Sequence, residues 1–424
     1  MKLLLHLLVM LLFSSISYGT VLPAGQASLE YHGYIRSSLG VSEKGSNQVR
    51  FQAPGARGRY RLGNEPETNI ELQANYTYKM PSPENDNAHI KGIIMLDGFK
   101  NQGESNEFSV DHLAQGYLSF NQFFDNDVKL WFGRRYYERK NVYILNHFWL
   151  NPGQNSHAAV GIEDLVTGSG KLNVAAFRLE DNFELSSTNY LINSLLLDVR
   201  WHSLKLSANT RSTLWGQLAS RKSIEALEYA HKTGYSAGFW VDYKSTRLKN
   251  TFALIHHTGA AVTQSNVNAS PVREDQGWNL DEATVFEIND TMTYEHLPEY
   301  SFQWVAVYRL EDRGLSGDKT LSWYSTGARP IFYLNRHLNI ALEAGVDYID
   351  DKVNNRKGHL SKLTGALQIA ADRGFRSRPV LRFFITLADW SDGLKGSVGH
   401  IPGDAPYADN TAGWSVGAQT EAWW

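Results

Sequence analysis

Apolar and polar side chains alternate over stretches of about ten residues in several parts of this chain. In NIELQANYTYK, at 69–79, one set of alternate positions is apolar or aromatic and the other set is polar. The same period of two recurs at 338–348 and 363–370. Successive side chains of a β-strand point to opposite faces, so each stretch predicts a strand with one apolar face and one wet face. About ten residues is also the length that a tilted strand needs to cross a bilayer.

The connections between these stretches distinguish a membrane barrel from a soluble sandwich, whose strands also alternate. Short connections are predicted at 334–337 and 372–379, and long polar ones at 349–362 and 391–413. Short turns at one end and long loops at the other are typical of outer-membrane barrels. Because backbone groups in lipid must all be paired, such a sheet has to close. We therefore predict an all-β chain that forms a transmembrane antiparallel β-barrel.

The first 19 residues, MKLLLHLLVMLLFSSISYG, have the pattern of a secretory signal peptide. Lys2 precedes an apolar run at 3–13, and small residues at Ser17 and Gly19 favour cleavage after Gly19. The apolar run is too short for a spanning helix, which needs about 20 residues. No linker or repeat of fixed period divides the remainder, so we assign residues 20–424 to one barrel domain.

Composition excludes several other classes of site and partner. The chain has no cysteine, so neither a disulfide framework nor a thiolate metal site is possible. Its 14 histidines show no HExxH spacing, and we expect no metal and no cofactor. A formal net charge of −3, without a block rich in lysine and arginine, predicts no nucleic-acid partner.

One short segment matches an enzyme motif. GYSAG at 234–238 has the spacing of a nucleophile elbow around Ser236. That elbow requires a strand before the serine and a helix after it, whereas the following FWVDYKS is strand-like. An outer-membrane or secreted β-rich hydrolase remains an alternative, and it would require a histidine and an acid close to Ser236.

Charged residues indicate which face of each predicted strand meets water. In VLRFFITLADW, at 380–390, Arg382 is poorly tolerated toward lipid, so its face, which includes Trp390, is assigned to the lumen. In YHGYIRSSLGV, Arg36 assigns Tyr34 to the lumen for the same reason. Rings exposed in a wet channel can stack on the apolar faces of sugars. The alternative is that they only pack inside the barrel or against an inserted loop.

The two tryptophans at the end of the chain are predicted to lie on opposite faces of the last strand. Glu421 belongs in water, so Trp423, two residues later, is assigned to the lumen. Trp424 then faces lipid near the rim of the barrel. Only Trp423 is a candidate for contact with sugar.

Five segments together resemble the maltoporin family of sugar-specific outer-membrane porins. They are YHGYIRSSLG (31–40), YRLGNEPETNIEL (60–72), GRRYYERKNV (133–142), SRPVLRFFITLADW (377–390) and GAQTEAWW (417–424). The similarity runs from about residue 29 to the last residue. It implies an 18-stranded barrel that assembles as a trimer in the outer membrane of a Gram-negative bacterium, in contact with outer-membrane lipid, with its third loop folded inward. It also implies facilitated diffusion of oligosaccharides along an aromatic slide flanked by ionic residues.

The resemblance assigns roles to eleven residues by position. They are Tyr34, Trp390 and Trp423 for the slide; Arg36, Arg61, Glu71, Arg139 and Asn141 for the polar track; and Tyr143, Asn146 and Phe148 for the constriction. The sequence departs from the family pattern at Asn69, where the slide has a tyrosine, at Asn141 and Asn146 (aspartates), at Tyr143 (a histidine) and at Phe148 (a tyrosine). Since asparagine offers fewer acceptor oxygens than aspartate, we expect weaker maltodextrin binding or a preference for another di- or oligosaccharide.

Two further alternatives share the barrel. A general diffusion porin would have the same fold and would not be blocked by sugar. An adhesin-like barrel would use its long loops as a receptor surface.

Overall fold

A sheet of 18 antiparallel strands closes on itself in the described part of the chain. The structure, a computed structural model, describes residues 26–43, 47–80, 87–104, 107–110, 112–123, 127–154, 156–265, 272–399 and 407–424. The predicted signal peptide at 1–19 lies outside the described residues. No helix among the residues described is long and apolar enough to cross a membrane.

The strands are numbered in chain order. The barrel wall consists of β1 (Ala27–Ser42), β2 (Glu67–Lys79), β3 (His89–Asn101), β4 (His112–Asn121), β5 (Lys129–Arg134), β8 (Ser156–Thr167), β9 (Gly170–Leu185), β10 (Thr188–Lys205), β11 (Thr210–Arg221), β12 (Lys232–Lys244), β13 (Leu248–Thr258), β14 (Thr284–His296), β15 (Tyr300–Asp312), β16 (Thr320–Tyr333), β17 (Leu338–Asp351), β18 (Arg356–Ala370), β19 (Val380–Trp390) and β20 (Ala412–Trp423). A separate hairpin consists of β6 (Lys140–Val142) and β7 (His147–Leu150). The described 3-10 helices are Tyr143–Leu145, Glu225–Leu227, Gly259–Ser265, Glu274–Gln276 and Asp392–Leu394.

The barrel closes because its first and last strands pair. Each wall strand pairs with the next one along the chain, and β5 pairs with β8 across the hairpin. β1 pairs with β2 and also with β20, in a register that runs from Tyr34↔Trp423 to Ser42↔Ser415. The predicted all-β, 18-stranded closed barrel is therefore confirmed.

The alternation in the sequence sets the two faces of the wall. In β19 the even-numbered residues from Val380 to Trp390 are buried, and the odd-numbered residues between them are exposed. The exposed set contains Leu381, Phe383 and Ile385, whereas the buried set contains Arg382. An apolar outer face and a polar inner face are what a strand between lipid and a wet lumen requires.

The connections differ in length at the two ends of the barrel. Those at one end are 80–88, 122–128, 168–169, 206–209, 245–247, 297–299, 334–337 and 371–379. The other end carries the long connections 43–66, 135–155, 259–283 and 391–411, together with shorter ones. The predicted short links at 334–337 and 372–379 and the predicted long loop beginning at 391 are confirmed.

The long loop predicted at 349–362 is wrong. β17 continues to Asp351 and β18 begins at Arg356, which leaves only 352–355 as a turn. The Asp351 carboxylate accepts hydrogen bonds from the backbone N–H (3.0 Å) and side-chain amide (2.7 Å) of Asn354. Polar residues in this segment extend the strands and cap the turn, so polarity alone misassigned them.

Two connections from the long-loop end fold into the lumen. The first loop (described from 47 to 66) and the third loop (135–155, which carries the β6–β7 hairpin) both contain fully buried apolar residues. They are joined by backbone hydrogen bonds, from Arg59 N–H to Leu145 C=O at 2.6 Å and from Arg61 N–H to Ile144 C=O at 3.0 Å. The inward third loop implied by the resemblance is confirmed. The insertion of the first loop was not predicted.

Candidate functional site

An aromatic pair lies on the lumen side of the seam between β1 and β20. Tyr34 and Trp423 are direct cross-strand partners, and their rings stack with centroids 6.4 Å apart at an interplanar angle of 22°. Trp423 is 40% exposed, so part of its ring is accessible. The guanidinium carbon of Arg378 lies 4.7 Å from the centre of that ring. This pair therefore presents a flat apolar surface next to a cation.

Trp424 lies on the opposite face of the same strand end. Its ring covers Gly33 on β1, where an added Cβ would lie 2.2 Å from a ring carbon. Gly33 and Trp424 also exchange two backbone hydrogen bonds of 3.2 Å. The two terminal tryptophans thus occupy different surroundings, as the alternation requires.

Glu421 is the anionic centre of the seam. Its buried carboxylate accepts hydrogen bonds from the Tyr34 hydroxyl (3.0 Å) and the Arg61 guanidinium (3.0 Å). It also pairs with Arg378 at 2.6 Å and Arg382 at 2.9 Å. Glu421 was used to assign the faces of the last strand and was not itself predicted as a site residue. Its signal as a site residue was that it is the acidic residue of the last strand.

Two of the predicted track residues lie in buried ion pairs. Arg36 is 6% exposed and Arg61 is 7% exposed. Both pair with Glu65 of the first loop, at 3.1 Å and 3.0 Å respectively. Burial opposes ionisation of Glu65, but the guanidiniums of Arg36 and Arg61 hold its pKa below the usual value. These arginines fasten the first loop to the wall and contribute little accessible surface.

Tyr143 marks how deep the third loop reaches. Its hydroxyl accepts a hydrogen bond from Arg378, and its ring meets that of Phe375 edge-on at 6.3 Å. Both partners belong to 371–379, a connection of the short-turn end. The tip of the third loop therefore meets a turn from the opposite end of the barrel inside the lumen. Phe375 and Arg378 were not predicted as site residues, because their turn has no sequence feature that predicts an inward fold.

Positive charge surrounds the Tyr143 ring. The guanidinium carbons of Arg61, Arg376 and Arg329 lie 4.6, 4.9 and 5.7 Å from its centre. Burial and Glu421 raise the pKa of Tyr143, whereas Arg378, Arg61 and Arg382 lower it. The guanidiniums prevail, and the pKa of Tyr143 lies below the usual value of a tyrosine.

The other predicted residues of the third loop differ in their contacts and exposure. The Arg139 guanidinium lies 3.9 Å from the centre of the Tyr136 ring and 5.2 Å from that of Phe148. Burial lowers the pKa of Arg139, against the opposing effects of Tyr136 and Glu71. Asn141 is exposed to the lumen. Asn146 has a left-handed backbone, with φ 49°, and ends the turn by donating its N–H to Tyr143 C=O at 3.2 Å.

Trp390 does not contribute an accessible ring. It lies on the inner face, as assigned, but it is only 3% exposed. Phe51 of the first loop packs against it with centroids 6.3 Å apart, and Tyr407 of the 391–411 connection does so at 5.5 Å. The expectation that Trp390 belongs to an open aromatic slide is therefore wrong. Alternation fixes the face of a residue, but not whether a distant loop covers it.

A polar cavity of about 500 Å³ lies between the third loop and the inward turn at 371–379. The third loop contributes Arg139, Lys140, Asn141 and Trp149, the turn contributes Gly374 to Ser377, and β12 to β15 form the wall. Its volume is in the range of sites for small molecules. Among the described residues, no group of three or more histidine, aspartate or glutamate side chains is placed to hold a metal ion.

Ser236 lies in the middle of β12, and the strand continues past it to Lys244 instead of turning into a helix. Its hydroxyl is 2.7 Å from Nδ1 of His257, and both side chains are buried. The nearby Glu287 carboxylate instead bonds His147 at 2.5 Å and Arg309 at 2.7 Å. Among the described residues, no acid is hydrogen-bonded to His257, and Ser236 lies on a strand that lacks the elbow geometry. This arrangement does not support the hydrolase alternative.

Comparison with known proteins identifies the family of the chain. The sequence model of the LamB porin family matches residues 29–424. The chain belongs to the LamB porin family. Similar solved structures include the outer membrane channel DcaP of Acinetobacter baumannii, with 11% identity, a TM-score of 0.49 and coverage of 94% of this chain and 98% of that one. Another is the anion-selective porin from Comamonas acidovorans, with 11% identity, a TM-score of 0.46 and coverage of 93% and 99%.

Membership of this family, together with the closed barrel, identifies a porin of the Gram-negative outer membrane. In such barrels the short turns face the periplasm and the long loops face outward. The connection at 371–379 is accordingly a periplasmic turn, and the first and third loops enter from the outer side. Family and fold indicate a channel and not an enzyme.

Proposed function

We propose that this LamB-family porin gives facilitated diffusion to di- or oligosaccharides that bind weakly in its lumen. The observation that supports this most directly is the stacked pair of Tyr34 and half-exposed Trp423 at the β1–β20 seam. A flat ring can hold the apolar face of a sugar, and the exposed Asn141 can bond its hydroxyls. The proposed site residues are Tyr34 and Trp423 for stacking, with Glu71, Arg139, Asn141 and Phe148 beside them.

Transport in this proposal needs neither chemistry nor an energy source. Binding must favour entry and still permit exit, as in any selective pore. Because asparagines stand where the family pattern has aspartates, we expect weaker maltodextrin block than in a family member with the full pattern. We also propose that the porin works as a homotrimer whose apolar outer face contacts outer-membrane lipid. Cross-linking of the native protein, followed by electrophoresis without boiling, tests the trimer.

The test of function is single-channel conductance in a planar bilayer while sugars are titrated. Glucose, maltose, sucrose, cellobiose and maltotriose are compared, and liposome swelling with the same series gives relative permeation rates. We expect at least one di- or oligosaccharide to close the channel in a saturable manner. If none closes it at high millimolar concentration, the protein is a general diffusion porin and the proposal fails.

A further inference from the structure

The polar cavity between the third loop and the periplasmic turn carries an unequal set of charges. Asn141 and other residues of the third loop line it together with residues of β12 to β15. Its lining includes four cationic side chains and two carboxylates. The cations are Arg139, Lys140, Lys249 and Arg376, and the carboxylates are Asp242 and Glu295.

The two carboxylates already accept hydrogen bonds from the protein itself. Asp242 accepts one from the Thr251 hydroxyl at 2.6 Å. Glu295 accepts one from the backbone N–H of Phe375 at 2.9 Å and so helps to hold the inward turn. Neither forms an ion pair with one of the four cations in the described part of the chain.

The four cavity cations differ from the arginines of the seam in their ion pairing. Arg36, Arg61 and Arg378 are each matched by a buried glutamate. By contrast, no ion pair to any of the four cavity cations is found among the described residues. Among the described residues, the contacts of Arg139, Lys140 and Arg376 are with aromatic faces or an amide, with Lys140 Nζ 5.7 Å from the centre of the Trp240 ring. Four cations face two carboxylates in the lining, so the cavity carries an excess of positive charge.

The charges come from three separate elements. Arg139 and Lys140 belong to the third loop, Lys249 belongs to β13 of the wall, and Arg376 belongs to the periplasmic turn. A solute in the cavity meets positive charge from several sides, which is the arrangement that Arg- and Lys-lined pores use for anions. Lys249 and Arg376 are exposed, so packing does not require their charge.

We infer that this cavity binds the anionic group, a carboxylate or a phosphate, of an acidic or phosphorylated saccharide in transit. The inference rests on the proposed function and narrows its substrate class. The sugar rings would lie toward Trp423 and Asn141, and the anionic group would lie among the four cations. Arginine and lysine both form strong charge-assisted hydrogen bonds to carboxylate and phosphate, so the two anions share one chemistry.

The experiment compares neutral and anionic sugars of similar size as blockers of the single-channel current. The pairs are maltose with maltobionate, and trehalose with trehalose 6-phosphate, with inorganic phosphate as a separate arm. The double variant Lys249→Gln/Arg376→Gln removes two cavity charges. The matched control Arg336→Gln/Lys352→Gln removes two exposed cations that pair with Asp372 and Asp318 outside the cavity. The conservative variant Lys249→Arg/Arg376→Lys keeps both charges.

In the native protein the anionic member of a pair should block at a concentration at least about fivefold lower than its neutral partner. That factor corresponds to one unit charge about 4 Å away in water. The preference should fall toward equality in Lys249→Gln/Arg376→Gln and persist in the control and in the conservative variant. Heat-modifiable migration on a gel verifies that each variant is folded.

The remaining outcomes overturn the inference, its assignment to a saccharide, or both proposals. Equal block by neutral and anionic partners overturns the inference and leaves the proposed function standing. Block by inorganic phosphate as strong as by trehalose 6-phosphate overturns the saccharide assignment in favour of a free anion. Absence of block by every sugar overturns both proposals. A preference that survives in Lys249→Gln/Arg376→Gln places the anion elsewhere and also overturns the inference.

Discussion

Trp423 and Trp424 are neighbours in sequence whose side chains face different surroundings. Trp423 stacks on Tyr34 over the lumen, and Trp424 covers Gly33 on the outer face. We expect Trp423→Ala to raise the sugar concentration that half-closes the channel by about fivefold, since an aromatic contact contributes roughly 1 kcal/mol. Trp424→Ala should leave sugar block unchanged and lower the yield of heat-modifiable barrel. Bilayer titration and gel migration measure the two effects. An equal loss of sugar block in both variants would contradict the assignment of faces.

Tyr143 offers a second test, because its ring and its hydroxyl can be removed separately. Tyr143→Phe loses the hydrogen bond from Arg378, worth about 1 kcal/mol, but Arg378 keeps its ion pair with Glu421. Conductance should stay near the native value. Tyr143→Ala removes the ring that the third loop places against the periplasmic turn, so single-channel conductance should rise. Equal conductance in Tyr143→Ala and the native protein would show that this contact does not limit the current.

The faces of single residues could be predicted from sequence, whereas their accessibility could not. A charged residue in an alternating segment was enough to place Tyr34, Trp390 and Trp423 on the inner face. Whether a ring is open or covered depends on loops far away in the chain. Phe51 covers Trp390 although the two lie more than 300 residues apart in sequence. No local sequence pattern predicts that contact.

The inserted first loop depends on two glycines of the wall. Gly327 on β16 and Gly345 on β17 are register partners, and the ring of Tyr60 lies on them. An added Cβ would lie 2.4 Å and 2.2 Å, respectively, from a ring carbon of Tyr60. The Tyr60 hydroxyl is 3.0 Å from the Ser325 hydroxyl. Because neither glycine has a side chain, the wall leaves room for the Tyr60 ring at this position.

Gly345→Val should displace Tyr60 and loosen the first loop while the wall stays paired. Overpacking of this kind costs about 1–3 kcal/mol, which is enough to shift a loop without unfolding the barrel. We expect higher and noisier single-channel conductance with normal heat-modifiable migration. Gly216→Val on β11 is the matched control, because nothing lies within 4 Å of an added Cβ there. The idea fails if both variants conduct alike.

Strands were more predictable than the elements between them. The period of two follows directly from the geometry of a strand between lipid and water, so neighbouring residues in the sequence are enough to reveal it. The segment at 349–362 shows the limit, because strands that continue past the apolar band have polar residues such as Asp350 and Lys357 on the outer face and resemble a loop. The insertion of the first loop is fixed by partners distant in sequence, such as Glu343, which accepts the Leu62 N–H at 2.9 Å.

For the whole molecule, closure is the condition that every other feature depends on. The family and the strand number could be predicted because separate segments near both ends of the chain carry the resemblance. The inward position of the periplasmic turn at 371–379 and the excess of cations in the cavity emerge only when distant elements are brought together. Their placement depends on a sheet whose first and last strands meet, which makes the seam the most informative place to perturb.

Removal of residues 421–424 should prevent a stable barrel from forming. The deletion removes the register pairs Tyr34↔Trp423 and Arg36↔Glu421 and the two backbone hydrogen bonds between Gly33 and Trp424. It leaves unpaired backbone groups of β1 at an edge that faces lipid, where each costs several kcal/mol. Deletion of the four exposed residues 315–318 is the control, because it shortens an outer connection without touching a wall pair. In detergent refolding followed by electrophoresis, we expect heat-modifiable migration for the control and its loss for the truncated chain. A truncated chain that still migrates as a folded barrel would show that the last pairs of the seam are dispensable for closure.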